Sequence, residues 1–172
     1  MIYEPREDSY LLQEYVLKYA GGKVLDMGTG SGILAEIALK KTKDVLAADI
    51  NLEAVEHAKS KKINAVHSDL FSNIKGKFDL IIFNPPYLPD DKRVKDIALD
   101  GGKKGYELLE RFLKQAKNYL NKNGKILILF SSLTKKNKVD KILKENRYIF
   151  EFLETKRIFF EELYVYLIKE KA

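Results

Sequence analysis

Apolar and polar positions change rhythm along this chain, and the rhythm predicts its elements. From Glu7 to Tyr19, residues Leu11, Leu12, Tyr15, Val16 and Tyr19 recur every three or four positions. That spacing places them on one face of a helix. Glu7 or Asp8 stands near its start, and Gly21-Gly22 stops it. Lys23 to Met27 then reads as a short buried strand, which residues 28 to 32 turn into a helix over Ile33 to Lys41. The alternation continues with a strand over Val45 to Ile50, a helix over Leu52 to Lys61, a short strand over Ala65 to Ser68 and a strong one over Phe78 to Phe83. A long loop is expected from about Leu88 to Lys104, a length that favours a functional role. The pattern then predicts a helix over Tyr106 to Leu120, a turn at Asn121 to Gly124, a strand over Lys125 to Phe130 and a helix over Lys135 to Asn146. Residues 148 to 156 and 162 to 169 alternate as two last strands, with a link of about five residues. So short a link forces an antiparallel hairpin at or near a sheet edge.

Strand and helix alternate through the first 130 residues, which implies βαβ units with helices on both faces of a parallel sheet. The expected fold class is α/β: one domain over 1–172, doubly wound, with seven mostly parallel strands and a C-terminal antiparallel hairpin. No repeat or linker divides the chain, and 172 residues with 45% apolar content suffice for one core.

Composition then removes several chemistries. Cysteine is absent, which excludes thiolate catalysis, disulfides and cysteine zinc sites. His57 and His67 are the two histidines, too few for most transition-metal sites, so no metal is expected. No apolar run approaches the roughly 20 residues of a membrane helix. The opening Met1-Ile2-Tyr3-Glu4-Pro5 does not read as a signal peptide. The expected location is the cytoplasm, without a membrane partner. A net charge of +6 permits a nucleic-acid partner, but a Lys/Glu-rich solvated surface accounts for it as well.

In parallel sheets, ligands bind beyond the carboxyl ends of the strands. Four stretches fall there: "DMGTGSG" (Asp26 to Gly32), "ADI" (Ala48 to Ile50), "SDLF" (Ser68 to Phe71) and "NPPY" (Asn84 to Tyr87). Gly28 and Gly30 allow a backbone to approach a ligand closely. The helix start behind them offers N–H groups to a carboxylate. Asp49 lies where a carboxylate can hold both hydroxyls of a ribose. Asp69 can accept from an adenine amino group, with Leu70 packed on the ring; a helix cap is the plainer reading of either aspartate alone. Glycine is missing at position 33, where a dinucleotide loop needs it, and no Gly-Lys-Ser/Thr follows. Asp26 beside the loop suits a cation better than a pyrophosphate. A sulfonium with an α-amino group, S-adenosylmethionine, fits all four stretches.

Together these stretches resemble the signature of class I S-adenosylmethionine-dependent methyltransferases that act on planar nitrogen, with a Rossmann-like fold. Such a nitrogen has its lone pair spread into a ring or carbonyl and must be aimed. The Asn84 side-chain oxygen can accept one N–H and the Pro85 carbonyl, held by two restricted φ angles, the other. Tyr87 can stack on the planar group. Two more stretches, "YEPREDSYLL" at the N-terminus and "ALDGGKKGYELLERFL" (Ala98 to Leu113), resemble the eukaryotic and archaeal branch of HemK-like protein-glutamine methyltransferases. That resemblance implies that residues 1–20 cover the cofactor, that Ser9 and Ile50 line its site, and that Asn84 serves cofactor and acceptor alike. It implies as substrate the Gly-Gly-Gln loop of a class I translation release factor, and as a possible partner a small zinc-binding activator that pairs along a sheet edge. The alternatives are an RNA or DNA base N-methyltransferase (adenine N6 or guanine N2), with Lys92, Arg93, Lys95, Lys103 and Lys104 as a phosphate grip, or a non-catalytic cofactor-binding subunit.

Overall fold

The computed structural model describes residues 5–85 and 105–172. The first helix, α1 (Glu7–Tyr19), has the expected bounds, with Leu11, Leu12 and Val16 buried and Glu7 and Asp8 in the first turn. Acidic groups there complement the positive end of the helix dipole. The chain continues as β1 (Val24–Met27), α2 (Ile33–Leu39), β2 (Val45–Asp49), α3 (Leu52–Ser60), β3 (Asn64–His67) and β4 (Phe78–Phe83). Then follow α4 (Glu107–Ala116), β5 (Leu120–Ser131), α5 (Lys136–Glu145), β6 (Tyr148–Ile158) and β7 (Glu161–Glu170).

The strands form one seven-stranded sheet in the order β3-β2-β1-β4-β5-β7-β6. The first five are parallel, and β7 runs antiparallel between β5 and β6. The expected α/β sheet with its antiparallel hairpin is the one observed. Every residue of β1 is buried, whereas the edge strands β3 and β6 are largely open. Strands covered on both faces read as continuous apolar runs, which is why "VLDM" and "FDLIIF" do not alternate.

Two cores lie on the two faces. One gathers Leu25, Phe83, Phe112, Ile128 and Tyr166 with α4 and α5. The other gathers Leu12, Val16, Leu34, Ile82 and Leu129 with α1, α2 and α3. After β1 the chain winds toward β2 and β3, then crosses back to place β4 on the other side of β1. That reversal opens a crevice at the carboxyl ends of β1 and β4.

Three boundaries differ from the sequence pattern. Helix α4 stops at Ala116, and Lys117–Tyr119 tighten into a 3-10 turn. There the Tyr119 ring stacks on Phe71 with centroids 4.4 Å apart. The expected turn at Asn121 to Gly124 lies inside β5 as an irregularity: Phe78 pairs with Leu120, but Leu80 pairs with Lys125. Asn123 takes φ 66° there, and Asn121 Nδ2 donates to Asp79 at 2.9 Å. Finally, β6 and β7 run longer than expected, so Phe159 and Phe160 alone join them. The bulge gives a checkable stability effect. A Cβ on Gly124 would stand 2.9 Å from the backbone oxygens of both Asn121 and Phe78. Neither oxygen can swing away. Gly124→Ala should therefore lower unfolding stability by about 1–3 kcal/mol, read by denaturant titration.

Candidate active site at the carboxyl ends of the parallel strands

The glycine stretch leaves β1 and is tied to β2. Gly28 N and Thr29 N both donate to the Ala48 carbonyl, at 2.7 and 3.0 Å. Gly28 and Gly30 have φ of 68° and 53°, the left-handed region where a side chain is costly. Asp49 holds the loop from the other side: its Oδ2 accepts from Gly30 N at 2.9 Å and its Oδ1 from Asn51 N at 2.8 Å. The cap of α3 is Asn51, which accepts from Glu53 N, rather than Asp49. A carboxylate offers about four lone-pair positions, so Asp49 keeps acceptor capacity after these two bonds.

Asp26 lies beneath the loop, 1% exposed. Thr29 Oγ1 donates to its Oδ2 at 2.6 Å, while Oδ1 has no hydrogen-bond partner among the described residues. Burial pushes its carboxyl up from 3.8 to about 7; the Thr29 bond opposes this, the nearby Asp49 charge adds to it, and the Ala35 backbone N–H opposes it weakly. A carboxyl this unfavourable to ionise, beneath a glycine loop at the strand ends, makes Asp26 a candidate partner for a positive group.

At the end of β4, Asn84 is half-buried and Pro85 buried. Asn84 Nδ2 donates to Asp8 Oδ2 at 2.8 Å. A carboxylate only accepts, so this bond sets which way the amide faces. Asn84 Oδ1 is buried and has no partner among the described residues. Leaving such an acceptor unmet costs about 1–3 kcal/mol, which a folded chain tolerates where the atom has another use. Pro86 and Tyr87 lie outside the described residues, as do Lys92, Arg93, Lys95, Lys103 and Lys104.

The remaining candidates divide. Ser9 is 3% exposed in the first turn of α1, beside Asp8. Ile50 is half-exposed after β2, free to cover a flat ring. Leu70, by contrast, takes φ 47° and turns its side chain into the core with Met27 and Phe71, so its expected ring contact is confined to a small exposed margin. The Asp69 carboxylate is exposed and meets Arg111 Nη2 at 3.1 and 3.2 Å. Three residues went unassigned in the sequence pattern: Asp8, Thr29 and Arg111. Each stands inside a quoted motif, but its partner is set by the fold.

Residues 7–159 match the family described as the methyltransferase small domain. The putative protein N5-glutamine methyltransferase MJ0928 of Methanocaldococcus jannaschii is 42% identical over 95% of this chain and 89% of its own length. The release factor glutamine methyltransferase of Haemophilus influenzae is 32% identical over 89% of this chain, which spans 63% of that longer relative. Among solved structures, a chain of the E. cuniculi Mtq2–Trm112 complex, responsible for methylation of the eRF1 translation termination factor, superposes with a TM-score of 0.82. It is 31% identical, with 99% of each chain covered. With a crevice at the reversal of its strand order, a glycine loop over a buried aspartate and Asn84-Pro85 at the end of β4, this chain belongs to the small-domain methyltransferase family.

Proposed function

We propose that this protein transfers a methyl group from S-adenosylmethionine to the side-chain amide nitrogen of a glutamine, in the Gly-Gly-Gln loop of a class I translation release factor. The observation that carries the reading is the buried Asn84 Oδ1, without a partner among the described residues, on an amide whose Nδ2 is held by Asp8 at the end of β4. It is an acceptor waiting for an N–H. Relatives that span most of this chain, named for glutamine methylation, support the choice of acceptor.

When bound, S-adenosylmethionine supplies an electrophilic methyl carbon on a positively charged sulfur. The residues present suit it. Asp26 would face its cationic end, Gly28 and Gly30 would admit its main chain, and Ser9 would bond its carboxylate. Asp49 has capacity for the ribose hydroxyls, Ile50 for one ring face and Asp69 for the amino group, with the Leu70 margin nearby. Asp69 does this while held by Arg111, which ties the adenine end to α4. Within the 1–20 segment, α1 would cover the cofactor site, as part of one 1–172 domain.

On the acceptor side, Asn84 Oδ1 would take one amide N–H and the Pro85 carbonyl the other; Tyr87, outside the described residues, is the candidate to stack on the planar group. Both acceptors favour the positive charge that grows on nitrogen. Holding the amide in line is worth up to about 7–11 kcal/mol in favourable cases, so no strong base is required. The substrate places the reaction in the cytoplasm; no helix of the described residues is long and apolar enough to cross a membrane. A small zinc-binding activator could add a strand at an open edge, as at β6, where Ile149 and Phe152 are half-exposed.

Label from methyl-labelled cofactor should enter the release factor and map to its glutamine. Label confined to transfer or ribosomal RNA, offered in parallel, would replace this reading with base N-methylation. Asp49→Ala should weaken cofactor binding by about 1–3 kcal/mol, since it removes both the ribose acceptor and the Gly30 tether. Calorimetry with an unchanged affinity would refute the ribose contact.

A further inference from the structure

The link between β6 and β7 is two residues long, and both are phenylalanine. Phe159 is 93% exposed and Phe160 is 101% exposed. Phe159 also has φ 39°, in the region where such turns normally place glycine, asparagine or aspartate. A bulky residue in that conformation is an outlier, and two bare rings in water are a second cost at the same place. The turn is nevertheless well seated. Glu162 N donates to Ser132 Oγ at 3.1 Å, and Tyr164 donates to Glu162 at 2.8 Å. The rings are therefore presented on a fixed base.

Their position gives them a use. Ile128 of β5 pairs with Phe83 of β4 on one side and Tyr166 of β7 on the other, so these three lie level. β7 runs antiparallel to β5, so Phe160 stands at the same end of the sheet as Asn84. It lies about 20 Å beyond Tyr166 along the strand, at ~3.3 Å per residue, and about 10 Å to the side across two strand spacings. A small acceptor held at Asn84 cannot reach it; a folded protein can.

We propose that Phe159 and Phe160 are a docking point for the surface of the protein acceptor that flanks its methylated glutamine. This rests on the reading above and adds where the acceptor is gripped. Two phenylalanines offer about 300–500 Å² of apolar surface, whereas a stable complex buries about 800 Å² on each partner. The tip alone is too small for a second copy of this chain. It suffices as the outlying part of a contact centred on the acceptor mouth, with half-exposed Leu133 at the end of β5 on the same side. Flanking Lys156 and Arg157 are balanced by Glu161 and Glu162, and Arg157 meets Glu162 at 3.4 Å. That neutrality favours a protein over a phosphate backbone.

The test compares the full chain with the Phe159→Ser/Phe160→Ser double variant on the folded release factor and on a short glutamine peptide. KM for the folded protein should rise about 10- to 100-fold, the range of aromatic interface anchors. The kcat value, transfer to the peptide, cofactor affinity and melting temperature should hold. Phe159→Leu/Phe160→Leu, which keeps apolar area, should recover most of the loss. An unchanged KM overturns the proposal, as does an equal loss on the peptide. A parent protein that sediments as a dimer and a variant that does not would assign the tip to a second copy instead. If the parent protein methylates no glutamine at all, the underlying reading falls first, an outcome distinct from an unaltered KM.

Discussion

Asn84→Ala should bind S-adenosylmethionine almost normally and transfer methyl at least ~100-fold more slowly, the usual scale for loss of one acceptor or donor aimed at transition-state charge. The site geometry is the reason for so selective a loss. The Asn84 amide spends its Nδ2 on Asp8 and leaves Oδ1 buried without a partner among the described residues. Truncation removes the oxygen proposed to aim the acceptor nitrogen, yet leaves Asp26, Asp49 and the glycine loop untouched. Asp8→Asn is the informative companion. An amide at position 8 can donate as well as accept, so it can turn the Asn84 group over and bring Nδ2 toward the acceptor. Transfer should then fall by about tenfold without loss of the Asn84 side chain, a cost of the size of one hydrogen bond. Single-turnover rates with saturating cofactor measure both variants. An Asn84→Ala protein that retains most of its rate would remove the assigned role.

Cofactor affinity should fall about tenfold for each pH unit below 7, because Asp26 must give up a proton before it can face a cation. In the free protein burial holds that carboxyl up at about 7. A positive partner favours the ionised form, so binding must release a proton in this range. Calorimetry in buffers of different ionisation heat reports that release directly. An affinity that stays flat from about pH 5.5 to 8 would separate Asp26 from the cationic end of the ligand. Stability of the free protein carries the opposite sign. The folded pKa lies above the ordinary value of 3.8, so the native state holds the extra proton. Asp26 therefore contributes stability that is complete below about pH 4 and lost as pH rises through 7. Asp26→Asn should melt higher than the parent above pH 7 and bind cofactor more weakly, the exchange expected where a site residue is kept at some expense to the fold.

Much of this was legible one residue at a time. The bounds of α1 and β4 follow from local spacing, because a helix face and a doubly covered strand each write a period into the chain. Glycines 28 and 30 mark a backbone open to close approach, and the structure adds that both take positive φ. The errors fell where a distant neighbour decides. Asn121 to Gly124 reads as a turn by composition, yet β4 pairs on both sides of it and it becomes a bulge in β5. Phe159-Phe160 carries no turn residue, so the pattern ends β6 too early and starts β7 too late; only the sheet shows that pairing runs to Ile158 and Glu161.

For this protein, sequence alone determined the α/β class, the order of elements, the four stretches at the strand ends and the kind of chemistry they suit. Those are properties of local spacing and residue type. Tertiary structure decided the rest: that Asp8 orients Asn84 across 76 residues of chain, that Arg111 meets Asp69, that Leu70 turns into the core, and that a two-phenylalanine turn stands at the Asn84 end of the sheet. Such facts depend on which side chains meet after the sheet has closed, and no period along the chain records them, because hydrogen bonds and burial act through space.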